Sequence, residues 1–230
     1  MFQAAVPMAE KSNVWIDFDG TISRQDVLDE LINRFATNES WKLVEQRWQA
    51  GLIGSRECLS QELGLIDVAP RELEGFLDQI QLDPGIYDLL ALLKQMKVPV
   101  TILSDGIDRF IRRILARHGL KHIPVRANRV VHRRSALRLA CPFSADQCQS
   151  AAAHCKCSSI QALQTLESQS IYIGDGRSDL CPARTAAVVF AKGTLAKALA
   201  KEHIAYYPYV TLKDVAAALQ SVWQPKVAAI

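Results

Sequence analysis

No apolar run in this chain approaches the roughly 20 residues that a helix needs to span a bilayer, so no membrane-spanning segment is expected. The first twelve residues lack both the basic stretch and the long apolar core of a secretory leader, and the chain reads as cytoplasmic. Its six cysteines lack the paired C-x-x-C steps of a zinc ribbon. In that compartment they read as reduced thiols rather than disulfides. A strong excess of charge is missing as well, the net value being +3, too small to name a partner. There is no internal repeat and no low-complexity segment. What remains is a 230-residue chain, 49% hydrophobic and 22% charged, which can build a sizeable core and is too apolar for disorder.

The charge that is present is unevenly placed. From Arg109 to Arg138 there are ten Lys or Arg and no Asp or Glu; from Glu57 to Asp88 there are eight acids against one base, Arg71. Both runs read first as solvated helix faces, with attraction of an anionic substrate as the second reading of the basic run. That run carries a single aromatic, Phe110, and so lacks the stacking residues of a single-strand nucleic-acid surface. No nucleic-acid partner is expected.

Hydrophobic patterning orders the rest. Val14 to Ile16 reads as a central buried strand. Helices are expected over 26–35, with Val27, Leu28, Leu31, Ile32 and Phe35 on one face, over 40–49, from a Ser55 cap through Leu65, and from Pro70 through Ile80. No strand pattern interrupts residues 24–80, which read as an all-helical insertion, with 1–23 and 81–230 forming an α/β core. Pro84 opens a helix that turns Ile86, Leu89, Leu90 and Leu93 inward, followed by a strand over 98–103 and a helix over 107–118. Residues 125–131 and 136–139 suit a small β-hairpin. Further helices are expected over 158–166, 178–187, 194–202 and 212–222, with strands over 171–173 and 188–190. Pro182 is tolerated in the second of these helices only within a first turn. The alternation predicts a doubly wound parallel sheet, with an insertion that depends on the core for its folding.

The chemistry concentrates at three strand exits. Asp17-Phe18-Asp19-Gly20-Thr21 follows Val14-Trp15-Ile16; Ser104-Asp105-Gly106 follows Val98-Pro99-Val100-Thr101-Ile102-Leu103, and Gly174-Asp175-Gly176-Arg177-Ser178-Asp179 follows Ile171-Tyr172-Ile173. Side chains alternate along a strand, so the 17 and 19 carboxylates would point the same way if both stayed extended, and Gly20 lets the chain turn. Two converging acids are costly to keep ionised without a cation, and an oxygen-only set suits Mg²⁺. One carboxylate could attack as a nucleophile while the other moves a proton. The plainer reading of such acids is turn chemistry.

These motifs resemble those of the haloacid dehalogenase superfamily, in its phosphatase branch, subfamily IB. Asp17, Asp19 and Thr21 match its first motif, Ser104 its second, Lys156 its third, and Asp175 with Asp179 its fourth, in family order across residues 17–179. The resemblance implies a Rossmann-like core with a C1-type helical cap over 24–80. It also implies hydrolysis of a small phosphate monoester through a phosphoaspartate on Asp17, with Asp19 as general acid and base. Mg²⁺ would be held by Asp17, the Asp19 carbonyl and Asp175, with Asp179 orienting ligands or waters around it. Ser104 and the Gly106 N–H would hold phosphate oxygens, and Lys156 would neutralise charge. Lys192, beside Gly193, is a rival to Lys156 but falls out of family order.

Within the superfamily the chain is similar to phosphoserine phosphatases, which carry an acid near Asp26 that meets the substrate. Asp26 is shorter than the usual Glu, and Arg56, the nearest partner for a substrate carboxylate, falls out of step. The likeness is stronger to the methionine-salvage branch, which acts on a phosphorylated ketomethylthiopentene enediol. That branch shares the acid at the Asp26 spacing and a cysteine-rich approach like His154-Cys155-Lys156-Cys157. Cys141, Cys148, Cys155 and Cys157, with His132 and His154, could supply a soft metal or could be packed thiols, while Cys58 and Cys181 read as core or near-core. A reading of another class keeps the fold as a non-catalytic binding module that uses the basic run and the cysteines. The expected assembly is a monomer or homodimer.

Overall fold

The computed structural model describes residues 6–133 and 136–224. In chain order the first elements are β1 (Ser12–Ile16), α1 (Val27–Phe35), α2 (Trp41–Gln49), α3 (Ser55–Leu63), α4 (Pro70–Leu77), α5 (Ile86–Gln95), β2 (Val100–Ile107) and α6 (Asp108–Arg117). They are followed by β3 (Val125–Arg133), β4 (Ala136–Ala140), α7 (Lys156–Leu163), β5 (Gln169–Gly174), α8 (Leu180–Ala183), β6 (Val188–Ala191), α9 (Gly193–Lys201), β7 (Tyr207–Pro208) and α10 (Leu212–Trp223). The sheet is mixed and seven-stranded, in the order β4-β3-β2-β1-β5-β6-β7. Among the strand-to-strand pairings described, only β3–β4 is antiparallel; this is the predicted hairpin, and residues 134–135 lie outside the described residues.

The chain divides into two compact units. The first comprises Met1–Arg24, Leu82–Thr101 and Ile160–Ile230. Its strands β1, β5 and β6 are almost wholly buried, as parallel strands covered on both faces must be. Val14 pairs with Ile171, Trp15 with Tyr172 and Ile16 with Ile173. Helix α5 packs on α10 and buries Ile86, Leu89, Leu92 and Leu93; Leu92 takes the place expected for Leu90, which is half-buried. The buried Asp83 joins the two helices, its Oδ1 accepting from the N–H of Gly85 (2.8 Å) and of Leu212 (3.2 Å). A side chain at Gly85 would collide with the Lys213 backbone, so the close approach requires glycine there.

The second unit comprises Gln25–Gln81 and Ile102–Ser159. Helix α1 buries the five apolar residues that its spacing predicts, each contributing about 2 kcal/mol. Asp26 caps it, with Oδ1 accepting from Leu28 N–H (3.0 Å) and Asp29 N–H (3.1 Å). Helix α6 buries Phe110, Ile111, Ile114 and Leu115 and turns its arginines outward. Arg113 forms a two-pronged ion pair with Asp78, both bonds 2.9 Å, and reaches Glu74 at 3.3 Å. The basic and acidic runs therefore meet here, which neither run reveals when read alone.

Four local expectations change. Gly54, not Ser55, precedes α3, and the Ser55 hydroxyl makes no cap bond. The strand over 98–103 runs on to Ile107, so α6 begins at Asp108. The helix over 178–187 is instead a 3₁₀ turn (Arg177–Asp179) followed by the four-residue α8, because Pro182 cannot donate to a longer helix. The two-residue β7 is too short to leave a pattern.

Candidate active site

The first unit gathers the acids of the first and fourth motifs. Asp17 leaves β1 buried (5% exposed), and its N–H donates to the Ile173 carbonyl at 3.0 Å, extending the parallel pairing by one residue. The chain then turns tightly. The Phe18 carbonyl accepts from the N–H of Ile22 and Ser23, both 2.9 Å, and from the Ser23 hydroxyl at 3.0 Å. Asp19 sits half-buried in this turn, and Gly20 adopts φ +69°. A Cβ on Gly20 would strike the Asp175 carboxylate, so glycine is required both for the turn and for the space.

Asp175 follows β5, and its Oδ1 accepts from the Thr21 hydroxyl at 2.7 Å. Asp179 is fully buried rather than an exposed helix acid. Its Oδ2 accepts from the N–H of Asp175 (3.0 Å) and Gly176 (2.9 Å), and its Oδ1 from the Tyr172 hydroxyl at 2.6 Å. A side chain on Gly174 would press into that carboxylate. Asp17, Asp175 and Asp179 each offer an oxygen, all within 4.8 Å of one another. At an effective dielectric of about 20, two unit charges 4.8 Å apart repel by about 3.5 kcal/mol, a cost that a cation among them would reverse.

Two tyrosines that no sequence pattern indicates complete this cluster. Tyr172 supplies the hydroxyl on Asp179. Tyr209 is buried, donates to the Gly174 carbonyl at 3.3 Å and lies 3.4 Å from the Thr21 hydroxyl. Burial first, and then the carboxylates of Asp175, Asp179 and Asp17, push the Tyr209 phenol well above its ordinary pKa, so it remains a neutral donor. Lys192 belongs to the same unit, with its Nζ 5.1 Å above the Tyr209 ring.

The second unit holds the residues of the second and third motifs. Ser104 is fully buried, and its Oγ accepts from the Gly106 N–H at 2.8 Å. The β2–β3 register slips between Leu103 and Ile107, so Ser104, Asp105 and Gly106 form an irregular strand end rather than a helix start. Lys156 opens α7 with 2% exposure. The surrounding protein raises the Asp26 carboxyl above its ordinary pKa although the side chain still reaches solvent; its two capping N–H groups and the Lys156 charge pull the other way. His154 is buried, with Nδ1 3.0 Å from the Ser104 carbonyl and Nε2 2.7 Å from the Ser159 hydroxyl. The carbonyl can only accept, so Nδ1 carries the proton and Nε2 accepts from Ser159. Burial, reinforced by the Lys156 charge, lowers its pKa to about 4.

Arg56 lies among Glu57, Ser60, Gln61, Ala145 and Asp146 around a surface cavity, with its buried Nε lacking a partner among the described residues. Cys155 is buried, while Cys141, Cys148 and Cys157 are half-buried. Among the described residues these thiols do not bring three ligand atoms together as the three aspartates do. Cys58 is buried, as expected, but Cys181 is exposed on the short α8.

An apolar strand ending in a buried Asp, a Gly-turned loop, and a second acid pair gathered from the neighbouring parallel strand define a phosphatase of the haloacid dehalogenase superfamily, a phosphoric monoester hydrolase. The chain belongs to the family described as "Putative Phosphatase", whose model matches residues 13–192. It is 26% identical to a 2-hydroxy-3-keto-5-methylthiopentenyl-1-phosphate phosphatase of Brevibacillus brevis, over 94% of this chain and 99% of that one. It is 28% identical to the protein of the same name from Bacillus cereus (strain B4264), over 93% and 98%. Among solved structures it shares its fold with a HAD family hydrolase of Salmonella enterica serovar Typhi (TM-score 0.75, 21% identity, 96% of this chain and 74% of that one). It shares it also with a substrate-bound phosphoserine phosphatase (TM-score 0.70, 18% identity, 93% and 99%). No helix among the described residues is long and apolar enough to cross a membrane.

Proposed function

We propose that this phosphatase hydrolyses a small phosphate monoester in a Mg²⁺-dependent reaction through a phosphoaspartate on Asp17. The observation that carries the proposal is the convergence of Asp17, Asp175 and Asp179 oxygens within 4.8 Å. That donor set is all oxygen, which fits a hard divalent cation. Asp17, the Asp19 carbonyl and Asp175 would hold the ion, and Asp179, fixed by Tyr172 and two N–H groups, would orient the Asp175 loop. When bound, Mg²⁺ would supply the charge neutralisation that phosphoryl transfer chiefly requires.

The chain's own residues carry the remaining steps. The Asp17 carboxylate attacks phosphorus and displaces the alcohol oxygen, which takes the Asp19 proton. Asp19, now a carboxylate, removes a proton from the water that cleaves the acyl phosphate. Ser104 and the Gly106 N–H, which bond to each other at 2.8 Å, would turn from one another to non-bridging oxygens, and Lys156 would offset their charge. The helical segment 24–80 acts as a cap, with Asp26 contributing to leaving-group recognition.

The names of the curated relatives support the methionine-salvage enediol phosphate as substrate. Phosphoserine is the alternative, supported by the solved neighbour. The test is hydrolysis of para-nitrophenyl phosphate with and without Mg²⁺, followed by a screen of the enediol phosphate, phosphoserine and sugar phosphates. Metal-dependent turnover with preference for the enediol phosphate is expected. No turnover with any divalent ion would favour a non-catalytic binding module.

A further inference from the structure

Asp105 stands between Ser104 and Gly106, yet the chemistry above gives it no task. Its carboxylate joins three separated segments. Oδ2 accepts from the Ser55 hydroxyl at the start of α3 (2.5 Å), and Oδ1 accepts from the His154 backbone N–H (2.6 Å). The Ser55 Oγ in turn accepts from the Ala153 N–H at 3.0 Å, which closes a ring of three hydrogen bonds. Asn128 on β3 donates to the Asp105 carbonyl at 2.6 Å and lies 3.4 Å from Oδ1. The His154 ring returns to the Ser104 carbonyl and clamps Ser159 on α7. The close packing of α3 on this loop is built into the backbone, because a side chain at Gly54 would collide with the Ala151 carbonyl.

We propose that Asp105 is a positioning residue, whose carboxylate fixes Ser104 and Lys156 relative to each other by tying the end of β2, the 153–154 approach to α7 and the first turn of α3 into one ring. The proposal rests on the phosphatase reading of Ser104 and Lys156. The His154 N–H on the Asp105 carboxylate and the Ala153 N–H on the Ser55 Oγ hold 153–154 where α7 begins, two residues before Lys156. On the other side, the ring of the same His154 holds the Ser104 carbonyl at 3.0 Å. A ring of this kind acts on the geometry of phosphoryl transfer more than on ground-state binding.

The test compares the wild-type chain with Asp105→Asn and Ser55→Ala in Mg²⁺-dependent hydrolysis of para-nitrophenyl phosphate and in amide hydrogen exchange at Ala153 and His154. In Asp105→Asn the amide oxygen can still accept from the His154 N–H, but its NH₂ can only donate to the Ser55 Oγ, so the Ser55 proton loses its acceptor and the bonds lose their charge while the shape is kept. The expected result is a loss in kcat on the order of tenfold to a hundredfold with KM changed little, and faster exchange at both amides. Ser55→Ala, which removes one arm only and serves if Asp105→Asn does not fold, should show a smaller loss of the same kind. A folded variant with kcat within about twofold of wild type, or a loss confined to KM, overturns the proposal. If the wild-type chain shows no turnover with any divalent ion, the phosphatase reading fails. The exchange arm then decides alone, and unchanged protection in both variants overturns the ring.

Discussion

Two clusters of acids in this molecule have opposite surroundings. In the first unit, Asp175 and Asp179 accept from Thr21, Tyr172 and two backbone N–H groups, and Asp179 has no exposed surface. In the second unit, Glu45, Cys58 and Glu62 bring their ligand atoms within 4.8 Å of one another on α2 and α3. There the donors are side chains, the Gln49 amide on Glu45 at 2.8 Å and the Cys58 thiol 4.0 Å from it, in place of the backbone N–H groups of the first cluster. Burial first, and then the Glu45 charge, push Glu62 up to about 8, and burial with the charges of Asp26 and Glu45 pushes Asp29 to about 7. The Asp29 side chain is open to water, so its share of this repulsion is the weaker. Backbone N–H groups at a strand exit can stabilise carboxylates as anions, whereas mid-helix carboxylates face no free N–H and take up protons instead. Proximity of acids alone therefore does not make a site; the donors around them decide.

The largest effect that would break this contrast belongs to Asp17→Asn. It should abolish turnover while far-ultraviolet circular dichroism and melting remain those of a folded protein, and retained activity would remove Asp17 as nucleophile. Lys156→Ala should cost on the order of a hundredfold in rate. A near-normal rate there, with a large loss in Lys192→Ala, would transfer the role to Lys192. Tyr172→Phe sharpens the comparison within the first cluster. It strips one donor from a fully buried carboxylate and should cost about 1–3 kcal/mol in denaturant unfolding.

The smallest effect is a pH dependence. Glu62 holds its proton up to about pH 8 when folded, against an ordinary value of 4.5. Between those values the folded state binds more protons than the unfolded one, so this group's contribution to stability falls as pH rises. Glu62→Gln should flatten the fall in melting temperature between pH 5 and about pH 8. An unchanged slope would show that Glu62 is charged and paired in solution, and the two clusters would then be alike.

Particular residues show how much could be read in advance. Asp17, Asp19, Asp175 and Asp179 stood out because each follows a short apolar strand, and three of the four do converge. The face of α1 was legible from its period, and the hairpin from its alternation. Tyr172 read only as a core residue, since a strand pattern does not tell where a hydroxyl ends. Tyr209 follows a strand of two residues, too short for any period. The ring around Asp105 joins residues 50 and 98 positions apart, a separation that no local pattern spans.

Local order and apolar spacing by themselves determined the α/β class, the run of helices α1 to α4 and the set of acids at the strand exits, because helix and strand periods are written into neighbouring residues. Only the tertiary structure decided which acids receive donors and which repel one another. It also decided that the basic helix α6 pairs with Asp78 and that Ser55 serves Asp105 instead of capping α3. Hydrogen bonds and desolvation depend on the distance between atoms, and the packing of the whole chain sets that distance for residues far apart in sequence.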